Sequence, residues 1–572
     1  MNRAIPRRFV PADFQPTDFD AIEPLGGQLL DRPIDRPEDL RQWLADASEL
    51  TCVIREHASR INIRYSAHTD DPDAEHAYMH LIQELQPKLR PLNFKLQRKF
   101  VDSPHRPALE AEPKHAQLAR QWKADVEIYR EQNVPIQTEV AKLVSEYDKL
   151  CGAMTVEFQG RPYTVQQMGR FLDEPDRATR EAAWRAVADR RLADRPRIDE
   201  LFDQVVARRQ TIAENADFDD YRAYTWKSMN RFDYAPDDCH AFADAVERFV
   251  LPLVRKLADD RRGKMGVAPL RPWDTSVDPL GRAPLRPFDP ADTADFVART
   301  HRVFQRVDPR LAERFDALEM GRNLDLDSRK GKRPGGYQAA LEESREPFIF
   351  MNAAGLHRDV ETLLHEAGHA FHYLEASEEP IVFVRFPPLE FAEVASMSME
   401  LLGADALDEF YNPDSLQRAK RLMLEGIVSV LPWIATIDQF QHWLYTHPGH
   451  DARQRVDQWR TVYHRFAASD IDWTGLEDAR DAMWQKQLHL FHAPFYYIEY
   501  GIAQLGALQV WRNYRDDPQA TLGRLLDAFA LGGGRPLPTL FETAGLRFDF
   551  SADTVEPLAQ MLHEELDSLD QA

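Results

Sequence analysis

Helical spacing of apolar residues is the feature that most constrains the fold, because it extends over most of the 572-residue chain. The first part of the chain is rich in Leu, Ala, Glu, Arg and Gln, residue types that favour helices. Stretches with this pattern are residues 36–64, 71–101, 107–151, 175–230 and 291–320, and most of the chain after residue 352. The pattern predicts a mainly α protein, with a break or kink at Pro135 in the third stretch.

Two short stretches carry β signals instead. Apolar and polar residues alternate from Thr155 to Val165 around a glycine-containing turn, which predicts a β-hairpin. The compact apolar run Pro347–Asn352 predicts a strand. Prolines concentrated between Pro269 and Pro290 predict an irregular connection. The predicted class is therefore mainly α, with a hairpin and a small β-element near residue 350.

The chain is too long for one ordinary compact domain, and its length alone suggests about three or four domains' worth of chain. Chains with interwoven helices break that rule, and two regions are predicted here. Residues 1–195 are predicted to form an N-terminal helical region that includes the hairpin. Residues 196–572 are predicted to form a second region, which contains the motifs described below. Hydrophobic residues make up 43% and charged residues 29% of the chain, a composition typical of globular proteins with a large core.

Charge and cysteine content limit the classes of partner and site. The net charge of −23 argues against nucleic acid as a partner, because phosphate binding needs a basic surface. The cysteines Cys52, Cys151 and Cys239 are far apart, so neither a cysteine zinc site nor a redox pair is expected. Their low number indicates a reducing compartment. The N-terminal segment lacks the apolar core of a signal peptide, and no run of about 18 apolar residues occurs. A soluble cytoplasmic protein is therefore predicted.

The motif H-E-x-x-H lies within the helical pattern of Asp359–His372, shortly after the predicted strand. His365 and His369 are four residues apart, so they share a helix face and can bind one metal ion. Glu366 is one step around the helix, where its carboxylate can act on a metal-bound water as general base. The motif alone is weakly specific, because two exposed histidines on an ordinary helix give the same pattern. The preceding strand and the helical context favour a zinc centre.

A catalytic zinc ion needs a third protein ligand, and residues 389–402 form a second predicted helix that can supply it. Its acidic residues are Glu390, Glu393 and Glu400. Glu393 is the better ligand, because a carboxylate among apolar neighbours is costly to bury unless it is paired or bound to a metal. Glu400 is predicted either to orient a histidine through its free ring nitrogen or to be a solvated surface acid. His372, one turn beyond the motif, is predicted to be packed or exposed rather than a ligand.

The predicted strand can have a second role besides core packing. If Phe348–Asn352 has an exposed edge, an extended peptide can pair with it as an added strand. The alternative is an ordinary core strand, which its apolar run favours. Backbone pairing and core packing are compatible in one strand.

A second group of candidate residues lies at 489–511, where His489 precedes three tyrosines, Tyr496, Tyr497 and Tyr500. Tyr497 and Tyr500 share a helix face. Peptide hydrolysis builds an oxyanion beside the metal, and tyrosine hydroxyls and a histidine are suitable donors to it. Spacing alone favours the alternative, which is aromatic core packing with the hydroxyls bonded elsewhere.

The segments that carry a family resemblance are RKGKRPGGY (329–337), PFIFMN (347–352), DVETLLHEAGHAFH (359–372), FAEVAS (391–396), HLFHAPFYYIEYGIAQLGALQVW (489–511) and LGGGRPLPTLFETAGLRFDF (531–550). Together they resemble the thimet oligopeptidase and oligoendopeptidase F family of zinc metallopeptidases, peptidase family M3, in particular its bacterial oligoendopeptidase branch. The zinc helix followed by E-V-A-S, with Glu393 28 residues after His365, is a highly specific combination. The resemblance spans roughly residues 150–550.

The resemblance implies a fold and a metal. The implied fold is a mainly α, ellipsoidal metallopeptidase with a deep substrate channel and a small β-sheet beside the HExxH helix. The second region, 196–572, is then the catalytic region. One zinc ion per chain is implied, with His365, His369 and Glu393 as ligands and Glu366 as base and proton shuttle.

The resemblance also assigns roles to the second group of residues. His489 and Tyr500 match residues that stabilise the transition state, and Tyr497 matches a further substrate contact. The spacing from the histidine to the tyrosines leaves open whether Tyr496 or Tyr497 lines the site.

The implied activity is hydrolysis of internal bonds of short peptides, with neither nucleic acid nor a membrane as partner. Zinc lowers the pKa of its water towards about 7, Glu366 takes a proton from that water, and the same carboxylate passes the proton to the leaving amine. One alternative is a dipeptidyl carboxypeptidase or carboxypeptidase on a similar scaffold, which needs a cationic group for the substrate's C-terminal carboxylate. The other is an inactive peptide-binding protein, which would bind peptides without turnover.

Overall fold

The computed structural model describes residues 6–467 and 471–571. The chain forms two compact units, each built from three segments. The first comprises Met1–Tyr129, Leu285–Lys420 and Ile502–Phe548, and the second comprises Arg130–Pro284, Arg421–Gly501 and Asp549–Ala572. The border predicted between residues 195 and 196 falls inside a helix, Arg177–Asn215, and the division into 1–195 and 196–572 stays a prediction.

Helices dominate both units. In chain order they are α1 (Phe19–Asp31), α2 (Pro37–Ala67), α3 (Pro72–His80), α4 (Gln86–Val101), α5 (Arg106–Leu109), α6 (Pro113–Ile128), α7 (Asn133–Gly152), α8 (Val165–Met168), α9 (Arg177–Asn215), α10 (Tyr221–Ser228), α11 (Pro236–Ala245), α12 (Leu251–Met265), α13 (Thr293–Val307), α14 (Pro309–Met320), α15 (His357–Ala376), α16 (Leu389–Gly403), α17 (Pro413–Thr446), α18 (Ala452–Phe466), α19 (Glu477–Asp481), α20 (His489–His492), α21 (Tyr497–Asp516), α22 (Pro518–Ala530), α23 (Leu537–Thr543) and α24 (Ala552–Gln571). The strands are β1 (Thr155–Phe158), β2 (Arg161–Thr164), β3 (Leu324–Asp327), β4 (Tyr337–Leu341) and β5 (Glu346–Ala353). The predicted mainly α class is confirmed.

The N-terminal helices of the first unit share one hydrophobic core. Apolar residues of α2 recur at helical spacing, and Leu40, Trp43 and Leu44 are fully buried. They pack with residues of α1, α4 and α6, including Phe100 and Trp122, whose rings meet edge to face. Burying each of these large side chains contributes about 1.5–3 kcal/mol to stability.

The three-stranded sheet of the first unit has the order β3-β5-β4. The predicted strand is β5, which pairs parallel with β3 and antiparallel with β4. Its apolar run is largely buried because α14 and α15 pack against the strand. The condition of an exposed edge is therefore not met for β5, which is a core strand as its apolar run favoured, and β4 is an outer strand of the sheet. The sheet lies beside α15, the helix that carries H-E-x-x-H, as predicted.

The predicted hairpin belongs to the second unit. Strands β1 and β2 pair antiparallel around Gln159 and Gly160, whose φ angles of 50° and 76° are those of a type I′ turn. Val156 and Phe171 bury the hairpin against Ala183 of α9. The 39-residue helix α9 begins at Arg177, and the side chain of its N-cap residue, Asp176, accepts the backbone N–H of Thr179.

The third helical stretch is broken as predicted, but the break lies just before Pro135 and not at it. The chain leaves the helix at residues 129–132, and Pro135 lies in the first turn of α7. In the first turn a backbone N–H has no intrahelical partner, so proline is tolerated there. A second break separates α13 from α14 at Asp308, whose side chain accepts the N–H of Arg310 at 2.8 Å.

Helix α17 is long and apolar enough to cross a membrane by length and composition. However, 61% of its apolar window is buried inside the protein, as in the core helix of a soluble protein. This helix is therefore weak evidence for a membrane span.

Candidate metal centre and active site

A tight connection from β5 fixes the start of α15. Gly355 has a φ of +76°, which favours glycine, and an added Cβ there would lie 2.8 Å from the carbonyl oxygen of Phe288. The carboxylate of Asp359 accepts the backbone N–H groups of Ala354 and Leu356 at 2.7 and 2.8 Å. These bonds satisfy donors at the helix start, so the strand, the turn and the cap together set the position of the motif.

Close packing of α15 on α16 depends on Gly368, the residue before the second motif histidine. An added Cβ would lie 2.6 Å from the carbonyl oxygen of Ala395 and 2.6 Å from Cα of Ser396. Only glycine allows the two backbones to approach so closely. This approach brings Glu393 of α16 next to the histidines of α15.

Three potential ligand atoms converge at this contact. Nε2 of His365 and Nε2 of His369 lie 3.4 and 3.6 Å from Oε2 of Glu393, and all three lie within 4.8 Å of one another. Ligands about 2.0–2.1 Å from a tetrahedral zinc ion are about 3.4 Å apart, so the spacing fits zinc. The side chains of His365 and His369 are 24% and 20% exposed, which leaves access for a fourth ligand.

Neighbouring groups orient both histidines. Nδ1 of His365 lies 2.6 Å from Oε1 of Glu400. This contact is the one that the predicted role of Glu400 in orienting a histidine requires. His369 makes a hydrogen bond to the backbone of Ala392. Contacts of this kind fix the ring orientation of metal-binding histidines and leave Nε2 directed at the ion.

The electrostatics of the cluster suit a cation. Burial alone would raise the pKa of Glu393, but its hydrogen bond with His365 and the charges of both histidines hold that pKa at about 2. Burial lowers the pKa of His369 to about 4. Burial also opposes a charge on His365, but the carboxylates of Glu393 and Glu400 outweigh it and raise the pKa of His365. Two carboxylates and a neutral imidazole thus favour positive charge at this point, as a bound metal ion would supply.

The carboxyl group of Glu366 lies on the sheet side of the motif. Burial raises its pKa to about 7, and the charge of Glu393 adds to that rise. The backbone of Gln338 in β4 donates a hydrogen bond to it, which ties the carboxylate to the outer strand. A carboxyl group with a pKa near neutrality can both take up and release a proton at working pH.

His372 is packed, which is one of its two predicted states. Its ring stacks on Phe529 with centroids 4.5 Å apart, and neither ring nitrogen has a hydrogen-bond partner among the described residues. Burial lowers the pKa of His372 to about 3. A neutral, buried imidazole therefore lies one turn beyond the ligands.

The second group of predicted residues belongs to the second compact unit. His489, in α20, lies against all three tyrosines, with ring centroids 5.8 Å from Tyr496, 4.9 Å from Tyr497 and 5.9 Å from Tyr500. Tyr497 is the first residue of α21, and its hydroxyl hydrogen-bonds to Trp433 and Gln487. The hydroxyl of Tyr497 thus has partners within its own unit, and the choice between Tyr496 and Tyr497 as the residue that lines the site stays a prediction.

Sequence reasoning missed the residues that hold the chain before α21. Phe495 has a φ of +68°, which is unusual for a bulky residue. Its N–H donates to Gln441 at 2.6 Å, and its carbonyl accepts from Arg231. Arg231 also donates to the buried carboxylate of Glu499 at 2.7 Å. A buried acid within an apolar helix signals a partner, but only the fold identifies Arg231 as that partner.

A second cluster of metal-ligating types occurs in the same unit. Potential ligand atoms of Cys239, Asp438 and His442 lie within 4.8 Å of one another, and all three residues are buried. The guanidinium of Arg222, which can only donate, faces Nδ1 of His442 at 3.5 Å, so the proton of a neutral His442 is carried on Nε2. That nitrogen lies 3.3 Å from Oδ2 of Asp438. This contact is not a hydrogen bond, because among the described residues neither Nε2 of His442 nor Oδ1 of Asp438 has a hydrogen-bond partner.

Comparison with known proteins supports the resemblance drawn from the motifs. Oligopeptidase PepF of Bacillus subtilis (strain 168) is 24% identical over 253 residues, which are 43% of this chain and 37% of that protein. The chain thus spans less than two fifths of the length of the curated relatives it matches. PZ peptidase A, solved with an inhibitor, has a TM-score of 0.89 and 27% identity, over 98% of this chain and 99% of that chain. An X-ray structure assigned as oligoendopeptidase F gives a TM-score of 0.88 and 27% identity, with the same coverage.

Family models extend the match over most of the sequence. The model of the peptidase M3 N-terminal domain matches residues 9–129. The model of peptidase family M3 itself matches residues 170–559, which include every predicted site residue. The family predicted from the motifs is confirmed, and with it the assignment to a family of peptidases. The chain belongs to peptidase family M3.

Proposed function

We propose that the protein is a zinc-dependent oligoendopeptidase that hydrolyses internal bonds of short peptides. The observation that carries the proposal is the convergence of His365 Nε2, His369 Nε2 and Glu393 Oε2 beside a carboxyl group with a pKa of about 7. Two imidazoles and one carboxylate are a ligand set of catalytic zinc sites. Family membership and the names of the relatives support the same activity.

The chemistry divides between the metal and the chain. A bound zinc ion supplies Lewis acidity and a lowered pKa for its water. Glu366 accepts the proton of the attacking water, and its near-neutral pKa lets it return that proton to the leaving amine. Glu400 holds the ring of His365 through Nδ1. The assignment of His489 and Tyr500 as donors to the oxyanion rests on their motif, with Tyr497 as a further substrate contact.

Pairing of an extended peptide with a sheet edge is a second part of the proposal. The outer strand β4 is the better candidate for that pairing than β5, whose edges are both used. Because Gln338 of β4 also donates to Glu366, a peptide paired along β4 would run past the base.

The test is cleavage of an internally quenched peptide of about ten residues, blocked at both ends. The protein is assayed as purified, after removal of metal by a chelator, and after return of zinc. We expect internal cleavage that is lost after chelation and restored when zinc is returned. Cleavage only of peptides with a free C-terminus would favour a carboxypeptidase, and tight binding without turnover by the zinc-loaded protein would favour a peptide-binding protein.

A further inference from the structure

The side chain of Gln487 lies between an indole and an imidazole of the second compact unit. Nε1 of Trp433 donates to Oε1 of Gln487 at 3.1 Å, and Nε2 of Gln487 lies 2.7 Å from Nδ1 of His489. We propose that Trp433 and Gln487 fix the tautomer of His489, so that the ring carries its proton on Nε2. The inference rests on the proposed function, in which His489 donates to the oxyanion, and it adds two positioning residues to that function.

The direction of each hydrogen bond follows from the chemistry of the groups. An indole N–H can only donate, so Trp433 requires the carbonyl oxygen of the Gln487 amide on its side. The opposite orientation of the amide would set two donors against each other. The amide nitrogen therefore faces His489, and since it also can only donate, Nδ1 accepts. A neutral imidazole that accepts at Nδ1 carries its proton on Nε2.

Further contacts hold Gln487 in place. Its backbone N–H donates to Trp484 at 3.0 Å, and its carbonyl accepts from Leu490 at 3.1 Å at the start of α20. The hydroxyl of Tyr497 hydrogen-bonds to both Trp433 and Gln487. The amide is therefore held from the backbone and from two aromatic side chains, and this is the rigidity that a preorganised donor requires.

The tautomer decides whether His489 can act on an anion. With the proton on Nε2, the neutral ring donates without having to be protonated first. With the proton on Nδ1, the ring presents a lone pair, which repels negative charge. Removal of one donor to an oxyanion lowers kcat by about 10²–10³-fold.

The variant Gln487→Glu is expected to move the proton of neutral His489 from Nε2 to Nδ1. A carboxylate accepts from Trp433 and also from a protonated Nδ1, so the neutral ring loses its proton on Nε2. Below the pKa of His489, which the carboxylate raises, the charged ring still donates from Nε2. We expect kcat of Gln487→Glu to fall about 10²–10³-fold as pH rises through that pKa, with little change in KM, whereas the wild type keeps its activity.

A matched variant separates the tautomer from the packing. Gln487→Met removes the amide without adding a charge, so kcat is expected to fall by a smaller factor that does not depend on pH. The titratable side chains in ring contact with His489 are Tyr496, Tyr497 and Tyr500, and Lys486 lies 5.7 Å from the ring of Trp433. All of these groups are present in both variants, so they do not produce the difference.

The direct measurement is ¹⁵N NMR of the zinc-loaded full chain labelled in histidine, with the His489 signal identified by its loss in His489→Phe. Protonation on Nε2 in the wild type, and on Nδ1 in Gln487→Glu at high pH, is expected. A wild-type ring protonated on Nδ1, or parallel pH profiles for Gln487→Glu and wild type, would overturn the proposal. Failure of the wild type to hydrolyse the quenched peptide, with the expected tautomer intact, would refute the proposed function instead.

Discussion

The contact of Gly368 with α16 gives the most demanding prediction. A Cβ added at Gly368 would lie 2.6 Å from the oxygen of Ala395 and 2.6 Å from Cα of Ser396, whereas ordinary contact begins at 3.4 Å. Both atoms belong to the backbone, so no side-chain rotation relieves the overlap. Gly368→Ala must therefore move α16 away from α15 by about 0.8 Å.

A displacement of this size exceeds what a metal centre tolerates. Metal–ligand distances in working sites vary by about 0.2 Å, so Glu393 would leave the reach of an ion held by the histidines. We expect Gly368→Ala to lower the free energy of unfolding by about 1–3 kcal/mol through overpacking. The Kd for zinc is expected to rise at least about 10-fold, as when a ligand loses its support.

The assays are competition for zinc with a fluorescent chelator and unfolding in urea. The control is Gly523→Ala, in α22 of the same compact unit, where an added Cβ meets no atom within 4 Å. That variant is expected to keep its zinc affinity and to gain up to about 1 kcal/mol from its better helix propensity. Wild-type zinc affinity and stability in Gly368→Ala would refute the argument that close helix contact builds the site.

The remaining predictions concern side chains of α15 and α16. Glu366→Gln is expected to keep one zinc ion and to lose about 10²–10⁴-fold in kcat, while Glu375→Gln, the same change on the same helix, keeps its activity. Metal analysis with initial rates checks this, and turnover at the wild-type rate would exclude Glu366 as the base. Glu400→Ala is expected to weaken zinc binding about 10–100-fold, because it removes the acceptor 2.6 Å from His365. A chelator titration that gives the wild-type Kd for zinc would count against a role of Glu400 in orienting His365. His372→Leu is expected to reduce sensitivity to acid, since the pKa of His372 is about 3 in the folded chain and about 6.5 in the unfolded chain. As pH falls, the unfolded chain binds the proton first, so the wild type loses about 3 kcal/mol of stability between pH 7 and pH 4 from this group. Urea unfolding at several pH values measures this loss. An equal loss of stability in His372→Leu and in the wild type would contradict the argument.

Local patterns account for what the sequence could predict. Helical spacing and the strand before H-E-x-x-H are properties of neighbouring residues, so β5, α15 and α16 were located within a few residues of their observed bounds. Strands β3 and β4 are four and five residues long and owe their pairing to β5, so a local pattern did not reveal them.

Contacts between distant residues account for what the sequence could not predict. The choice of Glu393 rested on its apolar neighbours and on family resemblance, and its distance to the histidines required the packing at Gly368. Trp433 and Gln487 are 54 positions apart, and neither belongs to a motif with a known role. Their link to His489 depends on how Trp433 packs in the second unit, and the periodicity of the sequence carries no such information.

The most direct test of the central claim is anomalous diffraction at the zinc absorption edge from crystals of the zinc-loaded protein. The account predicts a strong peak about 2.0–2.2 Å from Nε2 of His365, Nε2 of His369 and an oxygen of Glu393. A peak at Cys239, Asp438 and His442 with none at the motif, or no peak in protein that cleaves the quenched peptide, would contradict it.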